Sequence, residues 1–137
     1  MADSNYFRQQ MTMQQLQVCK SSDLEEGGTG YRFKVLYNGE ETTAFVVRVD
    51  DAVRCFLNRC SHVPVELDWN YGEFLDDSGR IVVCATHGAS YDATDGSCLG
   101  GPCDGNPLVK LNIEEKDGAV YWTPSDIITV PADGIED

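Results

Sequence analysis

The sequence predicts an all-β domain, and three observations carry that prediction. Turn signals recur about every 8 to 12 residues. The segments between them alternate apolar and polar side chains with the period of a half-buried strand. The dipeptides Asn38-Gly39 and Asp117-Gly118 suit tight two-residue hairpins, and Asp50-Asp51 reads as a further turn. At 137 residues the chain has the length of one domain with a hydrophobic core of its own.

Residues 1–14 are rich in Gln and Met without periodicity and read as a mobile tail. Arg32 to Tyr37 places Phe33, Val35 and Tyr37 on one face before the Asn38-Gly39 turn. Thr42 to Val49 returns, with Phe45, Val47 and Val49 alternating against Val46 and Arg48. Val53 to Asn58 forms the next strand, and Ile81 to Cys84 is a short apolar strand after the turn at 77–79. Leu108 to Ile113 sets Val109, Leu111 and Ile113 against Lys110 and Asn112, and Asp117-Gly118 turns the chain into Ala119 to Thr123. Cys19 and Cys55 fall in strands as small core residues. The acidic stretch 125–137 is expected to touch the domain at Ile127-Ile128 and then fray.

Twenty-three acidic residues against ten basic ones give a formal charge of −13 and a pI near 4.3. Such a chain repels nucleic acid and favours basic partner surfaces. No apolar run reaches the roughly 18 residues of a membrane span. The start "MADSNYFRQQMTMQQLQV" has one arginine and no apolar stretch of a secretory signal. A cytoplasmic, reducing location is therefore expected, and there six cysteines read as metal ligands or free thiols rather than a disulfide framework. Cys98 and Cys103, five apart, are accordingly expected as buried or partly exposed free thiols, with a regulatory disulfide as the alternative.

Chemistry concentrates in Cys60-Ser61-His62 and Cys84-Ala85-Thr86-His87. Each follows a predicted strand, and the two contain both histidines of the chain. The 21 residues from 63 to 83 suffice for a hairpin out and back. Thiolates with imidazoles suit zinc or an iron–sulfur cluster. Zinc sites usually pair Cys with Cys and His with His. Here each loop offers one of each, which suits a two-iron cluster with thiolates on one iron and imidazoles on the other.

The pattern C-x-H followed by C-x-x-H-G resembles the Rieske [2Fe–2S] domain, and within it the soluble ferredoxins that feed electrons to oxygenases. The resemblance runs from about Leu16 to Thr123 and takes in Gly88, Tyr91-Asp92, the turn Thr94-Asp95-Gly96, "GGPCDGNPL" and "DGAVYW". It implies a Rieske-type antiparallel β-sandwich or barrel over 15–124, with a small cluster-binding subdomain of hairpin loops at about 58–107. It implies one [2Fe–2S] cluster, with Cys60 and Cys84 on the inner iron and His62 and His87 on the outer one. Around it the resemblance sets Gly88, Ala89, Tyr91 and Pro102, with the Tyr91 hydroxyl near a cysteine sulfur and Pro102 covering the cluster from a third loop.

One departure stands out. The gap between the motifs is longer than the family usually shows, which lengthens the hairpin around "DWNYGEFLDDSGR" at little cost. Val65 and Thr86 occupy the positions where membrane-bound relatives carry a disulfide. Ala89 also stands where high-potential relatives have a serine that donates to the cluster. With eight acids against Arg80 alone between Ser61 and Val109, a potential in the lower half of the Rieske range of about −150 to +300 mV follows.

The expected function is one-electron transfer without catalysis. The donor would be a flavin-dependent NAD(P)H reductase and the acceptor an oxygenase or other redox enzyme, met through basic docking surfaces, with no nucleic acid or membrane partner. The alternatives are a small Rieske subunit of a multisubunit reductase such as nitrite reductase, and a structural zinc module for protein binding. Trp69 and Tyr71 read as a docking patch or, for at least one of them, as core packing.

Overall fold

The structure is a computed structural model, and it describes residues 14–61 and 65–137. The tail expected at 1–14 lies, Gln14 apart, outside the described residues, and so does His62. Ten strands follow in order: β1 (Leu16–Lys20), β2 (Tyr31–Tyr37), β3 (Glu40–Val49), β4 (Ala52–Leu57), β5 (Ile81–Val83), β6 (Ser90–Asp92), β7 (Cys98–Gly100), β8 (Asn112–Lys116), β9 (Ala119–Thr123) and β10 (Ile128–Thr129). They build three antiparallel sheets, ordered β1-β9-β8, β10-β2-β3-β4 and β5-β6-β7. The only helical element among the described residues is a single 3-10 turn, Ser21–Asp23.

The hairpins take the backbone their sequences predict. Asn38 and Gly39 both have positive φ, at 50° and 84°. The Asp50-Asp51 turn does the same with two non-glycine residues, at 55° and 62°. Glu26 supports that costlier turn, its two carboxylate oxygens accepting from the amides of Asp50 and Asp51, each at 2.8 Å.

The central sheet is covered on both faces. Ala44 and Val46 of β3 join Phe33, Val35, Cys55, Leu57, Val120 and Trp122 in one core. Phe45, Val47 and Val49 join Phe56, Phe74, Val82 and Tyr91 in another. The first closes against β1-β9-β8, with Phe33 and Trp122 rings 5.4 Å apart. The second closes against the β5-β6-β7 side, where Phe45 stacks on Phe74 at 3.8 Å. Because β3 is buried on both sides, its run of apolar residues is continuous rather than alternating.

Two expectations change. The strand read at Leu108 to Ile113 becomes regular only at Asn112 and runs to Lys116. Residues 109–111 are first spent on β4: Leu57 N donates to Val109 O, and Leu111 N donates to Cys55 O. The segment thus serves two sheets in succession. The end of the chain does not fray. Ile128 is buried and pairs with Tyr37, Ile135 O accepts from Lys34 N at 2.7 Å, and Asp137 meets Arg32 at 2.9 Å.

Candidate metal centre

Two loops at one end of the second core bring the cysteines together. The first leaves β4 through Asn58, and Cys60 N closes it by donating to Val65 O at 2.9 Å. The second leaves β5 at Cys84. Gly88 N donates to Cys84 O at 2.8 Å and Cys84 N to Ala89 O at 2.9 Å, so 84–89 is a tight turn with Gly88 at φ +78°. That left-handed backbone explains the glycine after His87.

Residue 67 ties the loops to each other. Leu67 N donates to the Asn58 side chain at 2.8 Å, and Leu67 O accepts from Ala85 N at 3.0 Å. Asn58 is fully buried, and its amide donates to Thr43 Oγ1 and Asp68 Oδ1, both at 3.1 Å. Asp68 in turn accepts from Arg32 and from Gly72 N. A buried carboxylate held this way has its charge matched by Arg32 and its oxygens occupied. These bonds link the loops where Val65 and Thr86 provide no disulfide.

The sulfurs of Cys60 and Cys84 and a ring nitrogen of His87 lie within 4.8 Å of one another. Cys84 Sγ and His87 Nδ1 are 3.8 Å apart. Both thiols are buried, while His87 is exposed. Burial pushes the Cys84 thiol above its ordinary range, and the adjacent Cys60 adds to the rise. A cation at the same point favours the thiolate form of both sulfurs. Soft donors converging on a dry pocket, with an imidazole at its mouth, fit an iron–sulfur centre. His62 follows Cys60 by two residues in the first loop, outside the described residues.

Of the surrounding residues, Tyr91 is fully buried, with its hydroxyl 3.6 Å from Cys60 Sγ and 2.9 Å from Ser61 Oγ. The same hydroxyl accepts from Ser61 N at 3.2 Å. Burial raises its pKa, which keeps it protonated and able to donate. Ser61 Oγ donates to Asn106 O at 3.1 Å, so the Tyr91 proton has two claimants, the sulfur and the serine oxygen. Ala89 is fully buried and presents only a methyl group. The third loop abuts the second through Gly101, where an added Cβ would sit 2.8 Å from Gly88 O and 3.0 Å from Ala89 Cα. Pro102 is half-buried at the same bend.

Two readings need correction. Cys98 and Cys103 are not free thiols but a disulfide, since the bend after β7 brings their Cα atoms to 6.0 Å. Neither Trp69 nor Tyr71 packs in the core: they are 79% and 64% exposed. Tyr71 lies under the Arg32 guanidinium at 4.5 Å and donates to Asp137 at 2.7 Å. Sequence reasoning also passed over Ser61, Asn106 and the Asn58–Asp68–Arg32 network. A polar Asn ending an apolar strand, two residues before a ligand cysteine, was the available signal.

Comparison with known proteins agrees with this geometry. Residues 14–125 match the Rieske [2Fe-2S] domain. No curated protein matches in sequence. Among solved structures, a chain of the complex of reduced oxygenase and oxidized ferredoxin in carbazole 1,9a-dioxygenase is similar. It is 28% identical with a TM-score of 0.63, over 81% of this chain and 94% of that one. The Sphingomonas yanoikuyae B1 ferredoxin is 24% identical with a TM-score of 0.62, over 81% and 99% of the two chains. The ferredoxin of carbazole 1,9a-dioxygenase from Nocardioides aromaticivorans IC177 is 21% identical with a TM-score of 0.64, over 81% and 98%. With Cys60, Cys84 and His87 brought together and the match spanning nearly the whole described fold, the chain belongs to the Rieske [2Fe–2S] domain family.

Proposed function

We propose that the protein is a one-electron carrier that passes electrons from a flavin-dependent NAD(P)H reductase to an oxygenase, and is not itself a catalyst. The observation that carries this reading is the burial contrast at the centre: thiols inside, imidazole at the surface. Cys60 and Cys84 would hold the inner iron of one [2Fe–2S] cluster, and His62 and His87 the outer one. The cluster, when bound, supplies a site that gains and loses one electron.

The chain's own residues then set access and poise. His87 offers a short route to a partner pressed against the loop tip. The buried thiols and Ala89 exclude water from the inner side. Tyr91 directs its hydroxyl toward the Cys60 sulfur, a bond that strengthens as negative charge accumulates there. Ala89 offers no comparable donor, which favours a potential in the lower half of the family's range. The net charge of −13 suits basic docking surfaces on both partners and a cytoplasmic setting. None of the described helices is long and apolar enough to cross a membrane.

Iron and acid-labile sulfide analysis, with EPR of the dithionite-reduced protein, tests this. Two irons and two sulfides per chain, with a signal appearing only on reduction, are expected. A colourless protein with one zinc would end the proposal.

A further inference from the structure

We infer that Cys98 and Cys103 form a thiol–disulfide site, opened by a dithiol reductant, whose state sets how firmly the third loop holds the His87 turn. The bond joins the first residue of β7 to the far side of the 99–102 bend, closing that bend into a ring. Inside the ring lies Gly101, whose backbone meets Gly88 O and Ala89 too closely to admit a Cβ. Cys98 itself pairs with Tyr91 across β6 and β7. The ring therefore touches the second ligand loop at one end and the strand of the sulfur-facing tyrosine at the other.

Apart from Cys103, which is buried in the second core, little tightens this bend. β7 has three residues, and positions 99–101 and 104–107 are exposed. The two cysteines differ in exposure, Cys98 being half-buried and Cys103 fully buried. An incoming thiolate thus reaches the Cys98 sulfur first. Its attack forms a mixed disulfide with Cys98, breaks the S–S bond and releases the Cys103 thiolate, which takes up a proton. The reductant's second thiol then attacks the mixed disulfide and frees Cys98. In sum the reductant is oxidised to its own disulfide, and two electrons and two protons arrive on the protein. Because the ring is small, opening it removes a local constraint and leaves both cores in place.

The site deepens the electron-carrier reading and rests on it for one of its two measurements. Full-length protein, air-oxidised and then treated anaerobically with dithiothreitol, is alkylated and mapped by mass spectrometry. In parallel, amide hydrogen exchange is followed over residues 84–101, and cluster absorbance is followed in the presence of an iron chelator. Alkylation at Cys98 and Cys103 is expected only after the dithiol. Exchange at 87–89 and bleaching are each expected to accelerate about threefold or more, and to recover on reoxidation. The double variant C98S/C103S should start at the accelerated rates and show no further response to the dithiol. If that variant does not fold, the reduced wild-type protein carries the test alone. Alkylation of both cysteines before reduction overturns the inference, as does a bond that opens with exchange unchanged. A preparation without iron would overturn the electron-carrier reading, while hydrogen exchange still decides the disulfide.

Discussion

The two faces of the central sheet are held by different means. Toward β1-β9-β8 the partner strands are each five residues long and the contacts are aliphatic and aromatic, with Trp122 and Val35 fully enclosed. Toward β5-β6-β7 the strands shrink to three residues. There an apolar core around the Phe45–Phe74 stack is supplemented by backbone bonds in turns, by the buried Asn58–Asp68 pair and by a disulfide. Both faces gain stability from area removed from water. The second gives up regular structure for two loops whose ends point at one spot. The comparison teaches that the ligand loops borrow their rigidity from a sheet that is stable for other reasons.

The comparison can be broken first on the strong side. Trp122→Ala should cost about 3–5 kcal/mol, because it leaves a large cavity between the sheets. Urea denaturation would show it, and a loss below about 1 kcal/mol would mean the base core is looser than its burial indicates. On the other face, Cys84→Ser should abolish iron binding while strand circular dichroism persists. Collapse of the strand signal would show that the two faces fold as one unit with the metal.

Finer changes sharpen the contrast. Asn58→Ala should cost about 1–3 kcal/mol, since it strands the Leu67 amide and leaves Asp68 Oδ1 with Arg32 as its remaining donor. It should also speed iron loss, unlike an equally destabilising change in the base. Ala89→Ser should raise the reduction potential by roughly 40–60 mV if the hydroxyl reaches the cluster, and Tyr91→Phe should lower it by a similar amount. Film voltammetry reads both, and unchanged potentials with intact clusters would remove these side chains from the account.

The smallest expected effect lies in acid. Glu115 accepts two bonds from Arg48, at 2.7 and 3.0 Å, which lowers its pKa from 4.5 to about 2. A lowered folded-state pKa adds stability that is complete above 4.5 and fades as pH falls toward 2. The pair is partly exposed, so the contribution is modest. Glu115→Gln should flatten the stability profile in that window, and an unaltered slope would assign the acid sensitivity elsewhere.

Much of this was legible before any coordinates. The hairpins at Asn38-Gly39, Asp50-Asp51 and Asp117-Gly118 follow from residues that tolerate positive φ, a local property. The convergence of Cys60, Cys84 and His87 was legible because the motif pairs a cysteine with a histidine after each of two strands. What escaped the sequence depends on distant segments meeting. The handover from β4, at 109–111, to β9, from Asn112 on, leaves the alternation of apolar residues unchanged, so periodicity could not mark where the regular strand begins. The disulfide was missed because the redox argument from cysteine usage concerns compartments, whereas bonding depends on a bend that brings Cys98 to Cys103. Trp69 and Tyr71 were misread because aromatic character suggests burial, yet their hairpin projects beyond either core.

Val46 and Val47 are neighbours in the chain but serve opposite interiors. Sliding β3 by a single position would therefore empty both at once, and neither half could relax without injuring the other. Alignment is policed from two sides. The end that carries Cys60, Cys84 and His87 inherits that fixed index from the far end of the molecule, so the loop tip has one presentation rather than a family of shifted ones.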